Sequence, residues 1–128
     1  MAASGVAQNI SLSTHPLAAR GQMERLLRGE LPSDQIDDVV LALHEALVNA
    51  ARHAGGARAV DATIDHACLV LRVWDDGPGF PLGPYLRRPP QVMAERGRGL
   101  WLIDRLTSSC EVRRDRRGNV LIMRFERR

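Results

Sequence analysis

The feature that most constrains this chain is an apolar run, residues 67–74, that ends in the octet Val73-Trp74-Asp75-Asp76-Gly77-Pro78-Gly79-Phe80. A strand-like segment delivers a carboxylate to its end and then breaks into two glycines around a proline. Glycine tolerates positive φ and lets a ligand approach bare backbone, while Pro78 stiffens the turn between them. Such a turn can hold a ligand against a strand end. Taken alone, it also reads as ordinary punctuation between strands, and the flanking residues must decide.

With 128 residues and 45% hydrophobic content, the chain suffices for one core and is short for two. One domain over residues 9–128 is expected, behind a frayed stretch at 1–8. No run reaches the roughly 18 apolar residues of a membrane helix, and the N-terminus lacks a secretory pattern. The sequence therefore predicts a cytoplasmic protein with no membrane partner. Cys68 and Cys110 lack metal or redox spacing and read as reduced, buried thiols. All 18 basic residues are arginine, and the net charge is +3. They gather at Arg113, Arg114, Arg116, Arg117, Arg124, Arg127 and Arg128, without interleaved aromatics. A solvated strand surface explains them better than a nucleic-acid patch.

Alternation at Ile10 and Leu12 predicts a short strand. His15-Pro16 opens a helix with apolar positions Leu17, Met23, Leu26 and Leu27, stopped by Gly29. Ser33 is the expected N-cap of a long helix ending at Gly55-Gly56, its buried face marked by Ile36, Val39, Val40, Leu43, Leu47, Ala50 and Ala54. Residues 58–65 and 68–74 read as two strands around a tight turn at Asp65-His66. Residues 80–96, with Pro81, Pro84, Pro89 and Pro90, have no period and suggest a lid spanning about 76–98. A helical segment at 100–106 and a hairpin around residues 116–119 complete the chain. The last strand is apolar on both faces, which predicts an interior position.

On the long helix, Glu45, Asn49, Arg52 and His53 share one stripe, roughly opposite the apolar one. Carboxylate, amide oxygen and cation in a row suit a magnesium-phosphate site, with a base at hand. The same stripe could be just the helix's wet side. Gly97-Arg98-Gly99, placed just before a helix, would leave amides pointing forward to phosphate, or would simply close a loop.

In combination these segments resemble the ATP-binding domain of the gyrase, heat-shock chaperone, histidine kinase and mismatch-repair ATPases, the GHKL or Bergerat fold. The residues 42–53 look like the family's N box, Asp75-Asp76-Gly77-Pro78-Gly79 like its first glycine box and Arg96-Gly97-Arg98-Gly99-Leu100 like its second. The second box carries Arg98 and Trp101 where many relatives have smaller residues. The resemblance implies an α+β, two-layer sandwich with helices on one face of a mixed, mostly antiparallel sheet.

The resemblance also implies ATP and Mg²⁺ as cofactors. Asn49 would ligate the metal, Asp75 would accept from the adenine amino group, and Gly77 and Gly79 would let the purine approach. Arg52 would lie near phosphate, with His53, Phe80, Arg96, Gly97, Arg98, Gly99 and Leu100 around the nucleotide and lid, and Glu45 would be the catalytic base. Small members of this kind are similar to the anti-sigma factor serine/threonine kinases. Their partners would be an antagonist protein carrying the accepting serine, a sigma factor, and a second copy of the chain. The competing readings are an ATP-binding module that sequesters a partner without phosphorylating it, and an arginine-driven nucleic-acid binder.

Overall fold

The computed structural model describes residues 8–78 and 95–128. In chain order the elements are β1 (Gln8–Leu12), α1 (Pro16–Leu27), α2 (Ser33–Ala54), β2 (Ala57–Ile64), β3 (Cys68–Asp75), α3 (Glu95–Leu106), β4 (Ser109–Asp115) and β5 (Gly118–Glu126). The strands form one sheet in the order β1-β2-β3-β5-β4, and each of its four pairings is antiparallel. The helices cover one face, giving the expected two-layer α+β sandwich. β3 is central, and β5 is interior as its two apolar faces require.

Side chains alternate across a strand, so β3 sorts its residues cleanly. Leu69, Leu71 and Val73 enter the main core with Leu43 and Leu47 of α2, Met23 and Leu27 of α1 and Leu100 and Ile103 of α3. Val70 and Trp74 face the other way, into a small second cluster with Val120 and Ile122 of β5. By the same alternation Asp75 stands on the helix side.

Helix α1 starts at Pro16, after His15 in extended conformation, as its sequence predicts. Its buried stripe is Ala19, Met23 and Leu27, whereas Leu17 is 68% exposed. An i, i+4, i+8 row needs Ala19 in the first turn, which turns Leu17 to solvent. Ser33 is the first residue of α2 rather than its cap; Pro32 holds the cap position and no side chain caps the end. A Pro32 cap is workable because Gln35, buried in that first turn, donates to the Glu126 carbonyl at 2.6 Å and so moors the helix to β5. At the other end Gly55 takes the left-handed conformation, φ 74°, and the Gly56 N–H donates to the Ala50 carbonyl at 3.0 Å. This is the stop that glycine there predicts.

β1 already includes Gln8, paired with Ile64. Helix α3 begins at Glu95, so Gly97 and Gly99 lie inside its first turns and not ahead of it. The expected helix began after them, at residue 100; α3 includes both despite the roughly 1 kcal/mol that glycine costs in a helix interior.

Candidate nucleotide site

The three motif segments meet along α2. The glycine turn after β3 abuts its C-terminal end, where a Cβ on Gly77 would lie 2.7 Å from the Ala54 Cβ and 3.3 Å from its Cα. Helix α3 crosses it further back, where a Cβ on Gly99 would sit 3.5 Å from Glu45 Oε1. Residues that are 22 apart in sequence (77 and 99) are thus both glycine where the backbone comes close to one helix. Gly77 does not have positive φ. Its requirement is room beside Ala54, not the left-handed freedom that the motif alone suggests.

Asp75 ends the central strand. Its Oδ1 accepts the Gly77 N–H at 2.8 Å, an Asx-type turn that fixes the carboxylate over the turn. An ionised carboxylate has further acceptor capacity, so one donor from a ligand can still be taken. Asp76 turns outward to the Arg58 guanidinium at 2.9 Å, and Arg58 also donates to the Arg117 carbonyl at 3.2 Å. These contacts tie the turn to β2 and to the β4–β5 hairpin.

The polar stripe of α2 is only partly on the wet side. Asn49 is only 9% exposed and Glu45 and His53 are half-buried, while Arg52 is exposed. The reason is that α2 is wedged between the sheet and α3, so its buried arc is wider than one amphipathic face and takes in Asn49. Arg52 and His53 occupy its last turn, where positive charge complements the helix dipole.

Leu100 is fully buried in the main core, so its side chain anchors α3 and only its backbone could face a ligand. Arg96, Gly97 and Arg98 are in the opening turns of α3, where the first four amides of a helix lack intrahelical partners. Gly79 and Phe80, and most of the expected lid, lie outside the described residues.

Sequence reasoning missed two residues here. Asn119 is buried at 7% exposure, and its Nδ2 donates to the Gly77 carbonyl. Gly118, φ 119°, comes so close to the Asp75 carbonyl that any Cβ would collide with it. The signal for both was in the hairpin: a glycine followed by a polar residue opening an otherwise apolar strand.

Among the seven clustered arginines, Arg113, Arg114, Arg117, Arg127 and Arg128 have partners within the chain. They engage Glu111, Asn119, the Trp74 ring, Glu30 and the Asp34–Asp38 pair, respectively. That is the behaviour of a structural surface and not of a phosphate-binding stripe.

The two-layer α+β fold is consistent with a histidine kinase-like ATPase domain, and the model of that family matches residues 12–125. The chain belongs to this family. It is also 29% identical over 107 residues to a serine-protein kinase, RsbW, of Bacillus cereus (strain ATCC 10987 / NRS 248), covering 74% of this chain and 67% of that one. Among the described residues, no helix is long and apolar enough to cross a membrane.

Proposed function

We propose that the chain binds Mg-ATP between α2, the turn that follows Asp75 and the start of α3, and phosphorylates a serine on a small antagonist protein in the cytoplasm. The observation that carries this reading is the convergence of both glycine segments on α2, with Gly77 against Ala54 and Gly99 against Glu45. Each leaves bare backbone beside a polar residue suited to one part of a nucleotide.

The residues fit the cofactors in kind. Asp75, pinned through Oδ1, presents its remaining acceptor capacity to the adenine amino group. Asn49 offers a neutral oxygen at the margin of the core, suited to a metal that keeps most of its ligands as water and phosphate. Arg52, one turn on, supplies positive charge near the phosphates, with His53 beside it as a ring nitrogen for the nucleotide. Mg²⁺, when bound, neutralises charge on the transferring phosphoryl group. Glu45 accepts the proton of the incoming serine hydroxyl as the γ-phosphoryl group passes to the serine oxygen and ADP leaves. The relative RsbW is a serine-protein kinase, which supports this choice of acceptor.

The test is a transfer assay with radiolabelled ATP and the antagonist protein. Glu45→Ala abolishes transfer and leaves ATP binding within about twofold, while Asp75→Asn weakens ATP binding at least tenfold, the worth of about 1.4 kcal/mol. Equal loss of binding and transfer in Glu45→Ala removes the base assignment, and unaltered affinity in Asp75→Asn removes the adenine assignment. Sequestration of a sigma factor with ATP bound but no transfer in the wild type would make the chain a non-catalytic module instead.

A further inference from the structure

Asn119 is the buried polar residue next to the site for which the mechanism above has no use. It faces Asp75 directly across the β3–β5 pairing, so the two side chains share the helix side of the sheet. Both ends of its carboxamide are occupied. Nδ2 donates to the Gly77 carbonyl, and Oδ1 accepts from the Arg114 guanidinium at 3.2 Å. A flipped amide would set oxygen against the carbonyl and nitrogen against the guanidinium, so its orientation is fixed by chemistry.

Gly77 is consequently held at both ends of one residue: its N–H by Asp75 Oδ1 at 2.8 Å, its carbonyl by Asn119. Rotating the Asp75 carboxylate breaks its bond to the Gly77 amide unless that glycine moves with it. The glycine cannot move toward α2, because Ala54 is there, nor leave freely while Asn119 grips it.

We propose that Asn119 is the positioning residue that aims the Asp75 carboxylate and thereby sets the preference for a base bearing a 6-amino group. This rests on the assignment of Asp75 to adenine above. Asn119 acts through Gly77 and does not itself touch the nucleotide. Arg114 acts one step further out, as the anchor of the Asn119 oxygen.

The test is calorimetric titration of the full chain with Mg-ATP and with Mg-inosine triphosphate, whose base has a carbonyl in place of the amino group. The wild type prefers ATP by about tenfold or more, as expected where a charged acceptor loses its donor. Asn119→Asp keeps the shape and the Arg114 contact but, ionised, cannot donate to the Gly77 carbonyl. It reduces the ATP preference to within about twofold of unity, mainly by weakening ATP. Arg114→Ala, at an exposed position, leaves the fold intact and lowers the preference about two- to fivefold.

If the wild type shows no preference, the adenine assignment of Asp75 fails and the inference falls with it. If the wild type prefers ATP and Asn119→Asp weakens both nucleotides equally, that assignment stands and Asn119 is merely structural. Should Asn119→Asp not fold, Arg114→Ala decides, and an unchanged preference overturns the proposal.

Discussion

Replacing Gly77 with alanine asks whether the glycine turn is built for contact with α2. The added Cβ would be 2.7 Å from the Ala54 Cβ, against about 3.5–4.0 Å for carbons in contact. The turn and the helix end must therefore separate by about 1 Å, and overpacking of this kind costs about 1–3 kcal/mol. For a chain of this size that lowers the melting temperature by about 4 °C per kcal/mol, or about 4–12 °C in all. Because Asp75 Oδ1 rides on the Gly77 amide, the same displacement drags the carboxylate and weakens Mg-ATP by about tenfold. The companion change is Ala54→Gly, which deletes the opposing Cβ and alone costs up to about 1 kcal/mol at a helix end. The double variant is then more stable than the sum of the single ones by about 1 kcal/mol or more, a coupling that circular-dichroism melts resolve. The rescue is incomplete, since the Ala54 Cα would still be 3.3 Å from the new methyl. A Gly77→Ala protein that melts with the wild type, or strict additivity with Ala54→Gly, would refute the close-approach argument.

Three further outcomes follow from contacts around the sheet. Asp115 is held below its usual 3.8 by the Trp74 indole N–H first and the Arg117 amide second, so it stabilises the fold above that pH and ceases to as pH falls through its folded value. The stability deficit of Asp115→Asn, from urea titrations, should be present at about pH 7 and shrink progressively as the pH falls below about 3.8; a deficit independent of pH contradicts this. Gly118→Ala combines φ 119° with a collision against the Asp75 carbonyl, and should lose about 2 kcal/mol or more in the same titrations. Arg128 reaches Asp34 at 3.0 Å and Asp38 at 2.8 Å but is half-exposed, so Arg128→Ala should shift the urea midpoint only slightly, and less at high salt; a large shift that salt does not change contradicts this.

How much of this was legible in the sequence depended on how local the cause was. The 3.6-residue period of α2, the alternation at Ile10 and Leu12 in β1 and the glycine pair after Ala54 act within a few residues, and they predicted elements to within a residue or two. The motif order predicted which segments would lie near one another. What escaped depended on distant partners. Asn49 looked solvent-facing on a helix taken alone, and Gly97 and Gly99 looked like loop although both lie within α3, with Gly99 close to Glu45. Asn119 showed locally only as a polar residue after a glycine, and its role stayed hidden because its partner carbonyl is 42 residues away and only strand register joins them. Trp74, which counted only as part of an apolar run, turned out to close a second small core on the far face.

That indole has a practical use. Trp74 precedes Asp75 by one peptide unit, is only 4% exposed, donates to Asp115 at 2.9 Å and lies 4.0 Å beneath the Arg117 guanidinium. The chain's other tryptophan, Trp101, is on α3 with Arg105 over it at 5.6 Å. Exchanging Trp101 for phenylalanine would leave a single emitter, clamped on the reverse side of the strand that carries the acid. Any strain passed to that acid would then change the colour or yield of an unlabelled protein, and events at the turn could be timed by mixing and watching its light.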